Sequence, residues 1–143
     1  MNDLEKAKQL LTGNATCVLV RGETVYISVK SGIAPMLDYL AAGIPLEGFS
    51  AADRIVGKAA AMLFARAGVT QVYGEVMSRA GAEYLDSHGI AYSFGTLADV
   101  IINRTGTGMC PMEQTVREMD DHSFAFCALS AKRALLRRSN AKK

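Results

Sequence analysis

Val69-Thr70-Gln71-Val72-Tyr73-Gly74-Glu75-Val76-Met77, then Ser78-Arg79-Ala80-Gly81-Ala82-Glu83-Tyr84-Leu85-Asp86-Ser87, then Gly89-Ile90-Ala91-Tyr92-Ser93-Phe94 run almost without a break and decide the fold class. The first piece is apolar and rich in β-branched residues, which predicts a strand. Ser78 has the side chain of an N-cap, opening a helix from about Arg79 to Ser87 that Gly89 closes. Ile90 to Phe94 is the next strand. Upstream, Ser50-Ala51-Ala52-Asp53 has the form of a capping box before a long helix to about Ala67, ended by Gly68.

Working outward, residues 2–11 read as a short amphipathic helix ended by Gly13-Asn14. Ala15 to Val20 and Thr24 to Val29 are β-branched runs joined by Arg21-Gly22-Glu23, a hairpin signal. Pro35 starts a helix through Leu40, stopped by Gly43. On the other side, Leu97 to Asn103 fits either a helix or a fifth strand. A helix capped by Cys110 runs to about Met119, and a last helix follows Asp120-Asp121 to about Arg138. The alternation predicts one α/β domain over residues 1–143, a three-layer α/β/α arrangement with a mixed sheet of about five strands. No internal repeat, low-complexity linker or domain boundary interrupts it.

Half of the 143 residues are hydrophobic and 21% charged, an ordinary globular balance. No apolar run approaches the roughly 18–20 residues of a membrane span, and the amino terminus has no signal pattern. Cys17, Cys110 and Cys127 have no paired spacing, which fits a reduced, cytoplasmic protein. His88 and His122 lie in different segments, so no zinc motif can be written and no cofactor is expected. Six of the sixteen basic residues lie at 132–143 with no acid after Asp121; the other ten face fourteen acids, a net of −4. The tail has no interleaved aromatic residue for base stacking, so nucleic acid is not the expected partner.

Ile101-Ile102-Asn103-Arg104-Thr105-Gly106-Thr107-Gly108-Met109-Cys110-Pro111-Met112-Glu113-Gln114 is the stretch with most chemistry. Pro111 suits the first position of a helix, which makes Cys110 the N-cap, where a helix dipole stabilises a thiolate. Cys110 is thus either a nucleophile or a small buried cap. Glu113, three residues on, either reaches back to the Cys110 N–H or serves as a general acid or base. Arg104 is suited to forking onto a phosphate or carboxylate and Asn103 to holding a carbonyl or base edge. Gly106 and Gly108 before a helix make a possible anion nest, though no Walker loop.

Asp53-Arg54-Ile55-Val56-Gly57-Lys58-Ala59-Ala60-Ala61 and Ile102-Asn103-Arg104…Gly108-Met109-Cys110-Pro111-Met112-Glu113 resemble the two signature stretches of a small prokaryotic family without an assigned function. That family is placed by fold in the cytidine deaminase-like superfamily, and the resemblance runs from Leu4 to about Cys127. It implies a cytidine deaminase-like fold and is compatible with a homo-oligomer. Active zinc deaminases carry His or Cys, then Ala-Glu, at one helix start, and Pro-Cys-x-x-Cys at another. Here those places read Ala51-Ala52-Asp53-Arg54 and Met77-Ser78-Arg79-Ala80-Gly81-Ala82. Without thiolate or imidazole ligands nothing activates water, so zinc-dependent deamination is not expected.

Two residues of the first stretch join the candidates. Asp53 is either the acid of the capping box or a group pointing into the deaminase-like groove. Lys58, placed on a helix side shared with Arg54, Ala61 and Ala65, is either solvated or, under a second layer, a cation needing an anionic partner. The expectation is a zinc-free domain with a small-molecule pocket for an anionic or nucleotide-like ligand, lined by Asp53, Lys58, Asn103, Arg104, Cys110 and Glu113. It is either an enzyme built on Cys110, with Glu113 or Asp53 moving protons, or a non-catalytic sensor. A nucleic-acid accessory role through the basic tail is the third reading.

Overall fold

The computed structural model describes residues 1–102, 106 and 108–141. The expected Asn103 and Arg104 lie outside the described residues. The elements are α1 (Asp3–Leu10), β1 (Cys17–Arg21), β2 (Thr24–Ser28), α2 (Ala34–Ala41), β3 (Ser50–Val56), α3 (Lys58–Ala67), β4 (Gln71–Ser78), α4 (Arg79–Ser87), β5 (Ala91–Ala98), α5 (Pro111–Val116) and α6 (His122–Ala141). They form an α/β fold with a mixed five-stranded sheet in the order β2-β1-β3-β4-β5. β1 runs antiparallel to both β2 and β3, whereas β3, β4 and β5 are parallel.

The expected hairpin is present, with Leu19 opposite Tyr26, and Gly22 in its turn has φ +59. The segment 71–94 is strand, helix, strand, as its pattern predicts, and β5 runs four residues past the expected end at Phe94. Ser78 Oγ accepts from Gly81 N–H at 3.0 Å to start α4.

Ser50–Asp53 is not a helix cap. It is the first half of β3, a central strand paired on both sides, and the helix begins only at Lys58. Ala51 and Ala52 are good helix formers, but here their small size lets β3 lie buried between covered sheet faces, and tertiary pairing overrides local propensity. The fifth strand is therefore β3; of the stretch left open from Leu97, Leu97 and Ala98 complete β5 and residues 99–102 form neither a helix nor a further strand. β5 continues through Ala98, and beyond it Ile102 makes an isolated antiparallel bridge to Met109. α5 stops at Val116, short of Met119, and α6 runs on to Ala141.

On one sheet face Val18, Val20 and Ala52 pack with Ala7, Leu11 and Ala15 from α1 and the turn after it. The opposite face packs Leu19, Ala51, Val72 and Met77 against α2, α3 and α4. Residues 59–64 of α3 are all buried, because α5 and α6 cover the side of the helix turned away from the sheet. A helix apolar all round belongs inside a core. Each of its large side chains, such as Phe64 or Leu63, contributes about 1.5–3 kcal/mol by burial. Part of the basic carboxyl-terminal region is structural: Arg133 bonds Asp38 of α2 at 2.7 Å, and Lys30 joins the same carboxylate at 2.6 Å. These two cations hold the Asp38 carboxyl below its usual range, the Lys30 hydrogen bond contributing most.

Candidate functional site

The parallel strands β3, β4 and β5 deliver their carboxyl ends to one edge, the edge at which open α/β sheets place ligands. A small cleft opens there, lined by Lys58, Ser78, Asp99, Ile101, Met109, Glu113 and Arg117 among others. Its volume, about 60 Å³, has room for a few water-sized groups.

The cleft is organised by the start of α3. Gly57, its N-cap residue, has no side chain to satisfy the first free N–H groups. Glu113 of α5 does so from 55 residues away. Its Oε1 accepts from Lys58 N–H at 2.7 Å and its Oε2 from Ala59 N–H at 2.8 Å. Burial pushes the Glu113 carboxyl up, against the lowering effect of those two N–H groups and of Lys58. Glu113 thus caps a different helix from its own; the Cys110 N–H donates to Ile101 O at 2.9 Å instead.

Lys58 is half-buried, and its Nζ donates to Arg117 O at 3.1 Å. Because β3 extends to Val56, Arg54 is a strand residue and does not share a helix side with Lys58. Arg54 turns to the α1 side, where it donates to Ala15 O (2.9 Å), Gly13 O (3.0 Å) and Glu75 Oε2 (2.8 Å). Across the cleft, Arg79 pairs with Asp99 at 2.8 Å, but with side chains 63% and 85% exposed this pair adds little stability.

Asp53 is not among the cleft residues. It lies in the sheet opposite Cys17 of β1, nearly inaccessible to solvent, and accepts from Ile55 N–H at 3.4 Å. Burial pushes its carboxyl up to about 7, and the same burial together with Asp53 raises the Cys17 thiol. Cys110, half-buried, also lies outside the cleft lining and makes no side-chain cap. Gly106 has φ +72, a conformation that favours glycine; a Cβ on either Gly106 or Gly108 would meet nothing within 4 Å. Among the described residues no group of three His, Cys, Asp or Glu side chains is placed to hold a metal.

Of the sequence-derived candidates, Lys58 and Glu113 therefore meet, Cys110 is near Glu113 in the chain but outside the cleft lining, and Asp53 belongs to the core. Ser78 and Arg117 line the cleft without having been singled out. Ser78 carries the sequence signature of an N-cap, which gives its helix position but not its neighbours. Arg117 carried no signal beyond its charge.

Among curated proteins none matches this chain. The fold is similar to that of a solved DUF1893 family protein (TM1506) from Thermotoga maritima, with a TM-score of 0.83 and 25% sequence identity. The similarity covers 92% of this chain and 90% of that one. The TM1506 family, described as a domain of unknown function (DUF1893), matches residues 5–132, and the chain belongs to that family.

Proposed function

We propose that this protein is a cytidine deaminase-like, three-layer α/β domain that binds a small anionic group, free or as part of a nucleotide-like ligand, in the cleft at the start of α3. The observation carrying this reading is the placement of Lys58 and Arg117 beside that cleft, at the carboxyl ends of three parallel strands. Glu113 has both oxygens engaged by backbone N–H groups, which suits it to shaping the cleft rather than to moving protons. The non-catalytic sensor is preferred to the enzyme because Cys110 is not part of the lining. With the helix starting at Lys58, the place to compare with a deaminase metal motif becomes Gly57-Lys58-Ala59, which also lacks a metal ligand. Three free cysteines fit a reducing compartment, and no described helix is long and apolar enough to cross a membrane; we read the protein as cytoplasmic.

Calorimetric titration with inorganic phosphate, AMP and CMP tests the reading. At least one should bind with a Kd below about 1 mM. Lys58→Met should weaken it at least tenfold without lowering the melting temperature. Absence of binding by all three, or binding indifferent to Lys58→Met and Arg117→Met, overturns the proposal. Turnover of any of them that disappears in Cys110→Ala would replace the sensor with the enzyme.

A further inference from the structure

At the opposite edge of the sheet, the fold brings together the chain's two histidines, which the sequence keeps 34 residues apart. His88 and His122 have ring centres 6.2 Å apart, at 67° to one another. They share a surface cleft of about 300 Å³ with Thr70 and the carboxyl-terminal ends of α3 and α4. We propose that this pair binds a divalent transition-metal ion of the zinc, nickel or copper type.

Each imidazole has a nitrogen to offer. His88 Nδ1 lies 3.0 Å from Tyr84 O, a carbonyl that only accepts. Ser87 Oγ, also 3.0 Å from this nitrogen, already donates to Tyr84 O at 2.9 Å, so the proton is assigned to Nδ1 and the lone pair to Nε2. A ring N–H held by a backbone carbonyl is the outer-shell arrangement that orients a metal-binding histidine. The ring is further fixed by stacking on Tyr84 at 4.0 Å. Tyr84 in turn donates its hydroxyl to Asp120 O at 2.7 Å, tying α4 to the turn that carries His122. His122 Nδ1 is shielded from solvent and has no hydrogen-bond partner among the described residues, a state that costs stability unless something fills it.

The surroundings favour a cation. Helices α3 and α4 end at this cleft with partially negative carboxyl ends, and the partial positive charge of the α6 start at His122 is offset by the capping Asp121 carboxylate. Among the described residues no Lys or Arg lines it. With a metal–nitrogen distance of about 2.0–2.1 Å, two imidazoles on one ion have ring centres roughly 5–6 Å apart, so a small ring rotation closes the observed gap. Imidazole selects zinc, copper or nickel over magnesium or calcium. Asp121 is turned to the start of α6, where its Oδ1 accepts from Ser123 and Phe124 N–H at 2.8 and 3.0 Å, and among the described residues no third His, Cys, Asp or Glu is placed to join the pair. Water completes the coordination, leaving exchangeable positions.

The test is a zinc titration of the full chain, untagged and stripped with chelator, followed by calorimetry and by the imidazole nitrogen resonances. One equivalent of zinc should bind in the micromolar range and shift resonances of both rings. His88→Phe keeps the stack on Tyr84, and His122→Gln keeps a polar tip. Each should weaken zinc at least tenfold, while Cys110→Ser changes nothing. Zinc that leaves both imidazole resonances of the native protein unmoved, or binds both variants as tightly, overturns the proposal.

Discussion

Glu113 and Gly57 are matched in shape as well as in hydrogen bonding. A Cβ on Gly57 would come within 2.5 Å of the Glu113 carboxyl carbon, the space the carboxylate needs to reach the N–H groups of Lys58 and Ala59. Gly57 has an extended backbone (φ −95), so it is close approach, not backbone freedom, that requires glycine there. The buried helix α3 thus begins correctly only when α5 is docked, which links the cleft wall to the core.

Gly57→Ala should expel the carboxylate and destabilise the fold by about 1–3 kcal/mol, the scale of leaving buried donors unsatisfied. Glu113→Ala should cost a similar amount. Because both changes remove one interaction, the double variant should lose much less than the sum, by at least about 1 kcal/mol in a denaturant double-mutant cycle. Additive losses would show that the cap and the glycine are independent.

Asp53 gives a pH signature. Its carboxyl is raised to about 7 by burial, so the folded state holds its proton more tightly than the unfolded chain does. Its favourable contribution is fully present below the unfolded value of about 4 and is lost as pH rises toward 7. Asp53→Asn keeps the shape without the charge. The stability of the variant relative to the native protein should therefore rise between pH 4 and 7.5, by on the order of a few kcal/mol. Urea unfolding at four pH values reads the difference; a flat difference would mean Asp53 is ionised or hydrated in the fold.

Those two acids mark where sequence reading succeeded and where it failed. Residues 71–94 were legible because apolar strand pattern, Ser78 cap and Gly89 stop agree locally, whereas the end of β5 at Leu97 and Ala98 fits helix and strand alike. Ser50–Val56 was not, because Ser50-Ala51-Ala52-Asp53 imitates a helix start, and only pairing with β1 and β4 makes it a strand. That one error carried Asp53 toward the cleft and Lys58 toward the middle of a helix. Lys58 and Glu113 were nonetheless both marked by sequence, Lys58 as the odd charge in the apolar run over residues 55–65 and Glu113 by its place three residues after Cys110. That they meet is a non-local fact, as is the pairing of His88 with His122.

Arg54 is expected to matter more than its ion pair. Glu75→Gln should cost less than about 1 kcal/mol, because the pair is partly exposed, at 31% and 41%. Arg54→Met also removes the bonds to Gly13 O and Ala15 O that hold the turn after α1 against β3. A loss of roughly 1–3 kcal/mol follows from those carbonyls. Faster amide exchange around residues 13–16 should accompany it, and equal losses in the two variants would contradict this ranking.

The three cysteines allow a test without mutation. Cys127 is exposed, Cys110 is half-buried, and Cys17 is fully enclosed between β2 and β3, with its thiol raised by burial. A thiol reacts as its thiolate and only where reagent reaches it. Under native conditions a disulfide reagent should therefore titrate Cys127 first and Cys110 second. Cys17 should react only at the rate of opening, in step with global unfolding as urea is added. Cys17 sits beside Asp53 at the centre of the sheet, so its labelling rate reports whether β1 and β3 stay paired. Fast labelling of Cys17 in the native protein would mean that this part of the sheet opens locally, and the buried Asp53 would then be hydrated too.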